Sequence, residues 1–171
     1  PFVTTISLQL RFRSHFLGVL LSAWLVGTIV AQPADAQVTV VDLQSPYSFV
    51  SGPTGKEYFI SSVNGDPDQA DNNGFITKLD AGGKLVNLKF IQGGKNGVTL
   101  HAPKGMALVA DTLYVADLDA VRGFDAATGR PTATVTISTG ASGGAPSVSL
   151  TDVAFDGKGL LYCSDQRANR I

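Results

Sequence analysis

Three stretches of the chain repeat one another, and a repeat at this spacing restricts the fold more than any other feature of the sequence. The first begins at Pro46 (PYSFVSGPTGKEYFISSV), the second at Ala102 (APKGMALVADTLYVADLDAVRGFDAATGRPTATVTI) and the third at Leu150 (LTDVAFDGKGLLYCSDQRANRI). Phe59, Tyr114 and Tyr162 take the same place in each, followed by Ile60, Val115 and Cys163, and two positions later by Ser62, Asp117 and Asp165. Phe59 and Tyr114 are 55 positions apart, and Tyr114 and Tyr162 are 48. Leu79-Asp80 and Phe124-Asp125 match further along, and each is followed within five residues by a glycine and a basic residue, Gly83-Lys84 and Gly129-Arg130.

Each unit holds four short β-rich runs; in the second they are MALVA, TLYVAD, AVRGFD and TATVTI. Helical periodicity is absent, and turn signals recur every 8 to 12 residues. Four antiparallel strands repeated at this period are the pattern of propeller blades. The expected fold class is therefore all-β, a β-propeller, with two complete four-stranded blades and part of a third. GPTGKE, DAGGKL and FDGKGL are predicted as tight hairpins within blades, and ASGGAPS as a loop between blades. GPTGKE, DAGGKL and GGKNGV pair glycine with lysine but lack the four-residue gap between glycines that a phosphate-cradling loop needs, so they read as turns. A blade cannot bury both faces alone, and closure takes at least about four blades, commonly six. The chain is accordingly expected to be part of a longer reading frame.

Residues 1–36 differ in kind from the rest. Arg11, Arg13 and His15 precede the apolar stretch Phe16 to Val30, which AQPADAQ follows. This is the order of a secretory signal peptide. The apolar core has 15 residues, shorter than the roughly 20 that span a bilayer, and Ala34 and Ala36 are the small residues a signal peptidase reads. Cleavage is expected after Ala36, with an uncleaved anchor as the alternative. Residues 37–171 are then an exported propeller domain, periplasmic or secreted, without a stable membrane span.

The mature part loses two arginines and one aspartate with the leader, which takes the formal charge from -1 to -2. No basic excess points to nucleic acid. Cys163 is the single cysteine, so no intrachain disulfide forms and stability must come from packing. Its setting, LLYCSD, reads as a buried strand and a core thiol.

Chemistry concentrates in residues 64–74, NGDPDQADNNG, which join the second run of the first unit to the third. Ser62 to Asp80 spans 18 positions where Asp117 to Asp125 spans 8, so this loop is an insertion. Strand direction alternates within a blade, so the inserted loop opens on the face that also receives GGKNGVTLHAPK and SLTDV. Expected on that ligand face are Asn64, Asp66, Asp68, Asp71, Asn72, Asn73, Lys95, Asn96, His101, Lys104 and Asp152. Oxygen-rich side chains suit a hard cation, and Asp66, Asp68 and Asp71 are the candidate ligands for calcium or zinc. An EF-hand fails on spacing: from Asp66 the fifth position is Ala70 and the twelfth Thr77, and from Asp71 the twelfth is Gly82. Asn-Gly, Asp-Pro and Asn-Asn-Gly also favour turns with no ligand at all, which makes the loop a recognition element first and a metal site second. His101 is the one histidine of the mature part and the candidate general base, with Asp152 as the carboxylate that could approach it. Asp117 and Asp165 recur at matching positions, which suits capping of turns better than reaction.

TLYVADLDAVRGFD and LLYCSDQRANRI resemble NHL-type repeats, in which an aromatic and β-branched strand leads to aspartate and then to a basic residue. With LTDVAFDGKGLLYCSD and APKGMALV behind an export signal, residues 45–171 resemble exported bacterial members of the gluconolactonase and senescence-marker-protein (regucalcin-like) superfamily. The resemblance implies a six-bladed propeller. It also implies, for the lactonases among them, one calcium or zinc ion on the central axis, held by a glutamate, two asparagines and an aspartate from different blades. Where those enzymes carry Asn-Asp this chain has Thr151-Asp152, and where they carry an aspartate before Gly-Met it has Lys104. Thr151 is a poor ligand and Lys104 would repel a cation. The expectation is an exported propeller that binds a small molecule, a carbohydrate or a protein partner on its polar face. The alternative, if the chain is an enzyme, is a metal-dependent sugar-lactone hydrolase.

Overall fold

The computed structural model describes residues 38–137 and 148–171; the predicted signal peptide and the ASGGAPS loop lie outside the described residues. None of the described residues is helical. Ten strands follow in order: β1 (Pro46–Ser51), β2 (Glu57–Ser62), β3 (Phe75–Asp80), β4 (Leu85–Gln92), β5 (Pro103–Val109), β6 (Thr112–Asp117), β7 (Ala120–Asp125), β8 (Pro131–Thr136), β9 (Leu150–Phe155) and β10 (Leu161–Asp165). They form two four-stranded antiparallel sheets, β1-β2-β3-β4 and β5-β6-β7-β8, and a pair, β9-β10. The four runs anticipated in the second repeat are β5 to β8, each joined to the next by a short connection.

Strand pairing gives the repeat a structural meaning. Phe59, Tyr114 and Tyr162 stand opposite Val50, Ala107 and Ala154, the same step of the same pairing in all three units. Three of the hairpins, β3–β4, β7–β8 and β9–β10, are closed by one device. Asp80 accepts the amides of Gly82 and Lys84 (both 2.9 Å), Asp125 those of Ala127 (3.1 Å) and Thr128 (2.7 Å), and Asp156 those of Lys158 (2.7 Å) and Leu160 (3.0 Å). Such Asx turns satisfy amides that a tight turn would leave open. The hydrogen bonds favour the ionised carboxylate: the Thr128 hydroxyl and amide lower the pKa of Asp125, and the Lys158 and Leu160 amides that of Asp156.

The sheets stack through their faces. Phe59, Ile76 and Ile91 of the first sheet meet Met106, Leu113, Val115 and Phe124 of the second in one apolar layer. Ala116 and Val121 of the second meet Leu150 and Val153 of β9 in another. On β6 the alternation therefore buries both faces, with Leu113 and Val115 on one side and Tyr114 and Ala116 on the other. The first strands run side by side: β5 lies against β1, and β9 against β5. At the far edge, β8 (PTATVT) is exposed along its whole length, and threonine suits such a solvated edge.

Candidate functional site

Antiparallel pairing puts the β2–β3, β4–β5 and β6–β7 connections, the end of β8, the start of β9 and the segment after β10 at one end. The connections from β2 to β3, residues 63–74, and from β4 to β5, residues 93–102, are the long ones described at this end; only Leu118 and Asp119 separate β6 from β7.

The loop is tied down at its far end, and His101 does the tying. Its Nδ1 accepts the Asn72 amide at 3.0 Å, the Asn72 side-chain oxygen accepts the Leu100 amide at 2.8 Å, and the Gly74 amide donates to the Leu100 carbonyl at 3.1 Å. Nδ1 must therefore carry the lone pair, so the imidazole serves as a structural acceptor. Gly93 completes the crossing: a Cβ there would strike the carbonyls of Leu100 and Asn72, so the two connections pass backbone against backbone. Asn64 and Asn72 both hold left-handed backbone, φ 56° and 57°, which asparagine tolerates better than most residues. Asn64 Nδ2 also donates to the Asn73 carbonyl at 2.8 Å, while Asn73 Oδ1 is buried without a partner.

Asp117, fully buried at the end of β6, organises the neighbouring connection. Its carboxylate accepts the amides of His101 (2.9 Å) and Ala102 (2.7 Å) and pairs with Arg122 Nε of β7. Asp165, at the same place in the third unit, accepts the Ser149 amide at 3.0 Å and pairs with Arg170. The repeated aspartates thus fix the chain as it approaches the first strand of their own unit. In the first unit the strand register puts Ser62 and Thr77 where the second has Asp117 and Arg122. Both are buried, and Ser62 Oγ is left without a hydrogen bond.

Lys104, at the start of β5, is 5% exposed. Its ammonium donates to Ser149 Oγ at 3.3 Å, and among the described residues no carboxylate pairs with it. Burial lowers its pKa, opposed in part by Asp68 and Asp117 and reinforced by Arg167. Asp68 of the inserted loop pairs with Arg167, beyond β10, at 3.1 Å, so the loop of the first unit reaches the third. A three-proton donor with one described acceptor can hold a carbonyl, hydroxyl or carboxylate oxygen.

The other residues singled out in the sequence are dispersed. Asp66 accepts the Asp68 amide at 2.9 Å and the Gln69 side chain at 3.3 Å, Asp68 is with Arg167, and Asp71 accepts the Asn73 side chain. The three have separate partners, and among the described residues no three His, Cys, Asp or Glu side chains come together to hold a metal ion. Thr151, at the start of the neighbouring first strand β9, has its hydroxyl 2.8 Å from that of Ser164. His101 and Asp152 also part company: Asp152 is exposed and accepts the amide of Val153 at 2.9 Å. Asn96 is exposed in the β4–β5 connection. Cys163 packs against the second apolar layer, and burial, with Asp152 and Asp165 adding, pushes its thiol up to about 11. A thiol so protonated at neutral pH is no nucleophile.

Arg122, Arg167 and Ser149 are the partners that sequence reasoning did not single out. The first had a signal, because an arginine follows the repeated aspartate by five positions in both Asp117/Arg122 and Asp165/Arg170. The other two had none, since their contacts join separate units. No protein-family profile matches the chain, and no curated protein matches it in sequence.

Proposed function

We propose that this chain belongs to an exported β-propeller that binds a polar ligand, a small molecule or a carbohydrate, on the loop-bearing face. The leader sequence supports export. The ring is supported by the side-by-side first strands, and by apolar side chains left exposed at both ends of the stack: Tyr47 and Phe49 on β1, and Phe155, Leu161 and Tyr162 on β9 and β10. Further sheets of the same kind would cover them, six in all if the resemblance to the gluconolactonase superfamily holds.

Lys104 carries the functional reading. A buried ammonium with one hydroxyl partner is a poor way to stabilise a strand, because desolvation of the charge is met by a single neutral acceptor. It is a good way to present donors to a ligand oxygen. Lys104→Met is therefore expected to raise stability, on the order of 1 kcal/mol, since Asp117 and Asp68 keep Arg122 and Arg167 as partners. The sign with pH follows. The folded-state pKa of Lys104 lies below its unfolded value of 10.5, so the unfolded chain binds more protons and the wild type gains stability as pH rises through that interval. Urea unfolding at pH 7 and pH 10 checks both; a Lys104→Met chain less stable than wild type would make Lys104 a structural brace and remove this reading. The hydrolase alternative is tested separately by calorimetric titration with calcium and zinc, where the dispersed aspartates lead us to expect no heat.

A further inference from the structure

A second site lies away from Lys104. A cleft of about 730 Å³ runs between β4 with its following loop and the turn that joins β7 to β8, within the roughly 300–1,000 Å³ typical of small-molecule sites. Its lining has three cations, Lys89, Lys95 and Arg130, and no acid. In a chain of formal charge -1 this is a local concentration of positive charge. The Lys89 ammonium sits 5.1 Å over the Phe75 ring, which leaves Lys95 and Arg130 as the cations free to meet a ligand. Neither takes part in an ion pair among the described residues. Asp125, the acid that feels Arg130, is occupied by the amides of Ala127 and Thr128 and the Thr128 hydroxyl.

The rest of the lining narrows the ligand. Half-buried Phe90 and exposed Pro131 offer apolar surface, and Gln92, Asn96 and Thr128 offer amide and hydroxyl groups. Apolar surface beside neutral hydrogen-bonding groups suits a sugar ring, whose faces are apolar and whose rim is hydroxylated. Two cations then select a sugar that carries an anion; a guanidinium can grip a carboxylate through two donors. We propose that the cleft binds an acidic sugar of one or two rings, with its carboxylate between Lys95 and Arg130 and its hydroxyls on Gln92, Asn96 and Thr128. The site is independent of Lys104 and stands whether or not the loop face binds anything.

Isothermal titration of the full chain with digalacturonate, with maltose as the uncharged counterpart and with a sulfated disaccharide, tests it. Digalacturonate is expected to bind at least tenfold more tightly than maltose, to weaken as salt rises, and to lose about tenfold in affinity in Lys95→Gln and again in Arg130→Gln. Lys104→Met is expected to leave this binding unchanged, which separates the cleft from the loop face. Both replaced side chains are exposed, so melting temperatures should stay level. Should a variant melt early, amide shifts of the wild type on titration take its place, and must fall on residues 92–98 and 128–131. No heat with digalacturonate, equal affinity for maltose, a preference for the sulfated disaccharide over digalacturonate, or shifts confined to other residues would overturn the proposal.

Discussion

Replacing Asp117 with alanine is expected to cost about 3–5 kcal/mol, enough to unfold much of the chain at room temperature. Three donors depend on that carboxylate: the amides of His101 and Ala102 and the guanidinium of Arg122. Asp117 is fully buried and Arg122 is 9% exposed, so water cannot replace what is lost. The loss would also spread, because the chain held by Asp117 is the one to which Asn72 and Gly74 anchor the inserted loop. Urea unfolding gives the cost as a shift in midpoint, and Asp117→Ala/Arg122→Met should recover part of it, since the second change removes a buried charge left with only the longer, half-exposed contact to Asp119 at 3.5 Å. If the double variant is no more stable than Asp117→Ala, the ion pair is not the main term and the backbone amides are.

Gly105→Ala carries the second large effect. A Cβ at Gly105 would overlap the Asp152 side chain and lie close to its Cα, so β9 would have to move off β5. Overpacking of this kind costs roughly 1–3 kcal/mol, and backbone on the far side places this case at the top of the range. The damage should be local. Amide exchange is expected to speed up across β9 and β10 while β2 and β3, which belong to the other apolar layer, keep their protection. Uniform loss of protection in both layers would mean that the stack melts as one unit and that its interfaces are not separable.

Most of the strand plan was legible before any coordinates. The predicted runs TLYVAD and AVRGFD coincide with β6 and β7, and the predicted hairpins GPTGKE, DAGGKL and FDGKGL join β1 to β2, β3 to β4 and β9 to β10. These features depend on neighbours within a few positions, where alternation and turn chemistry act directly. The chemistry was less legible. His101 and Asp152 invite pairing as base and carboxylate by residue type, yet His101 spends Nδ1 on the Asn72 amide and Asp152 lies over Gly105. Asp66, Asp68 and Asp71 look like a cation site because they are close in sequence. In the folded loop one caps a turn, one reaches Arg167 and one bonds Asn73.

By itself, the sequence determined the repeat, and through it the four-strand units, their turns and the recurrence of aspartate at the end of each unit's second strand except the first. Local dihedral preference and hydrophobic alternation suffice for these, and both are written in adjacent residues. Only the tertiary structure decided which polar groups are spent and which remain open. Arg167 stands 99 positions from Asp68, and Ser149 stands 45 from Lys104, so their meeting depends on how the three units stack. The same stacking separates Lys104, a buried cation facing one hydroxyl, from the lysine and arginine of the outer cleft. Charge in a protein acts through distance and desolvation, and neither is a property of a position in the chain.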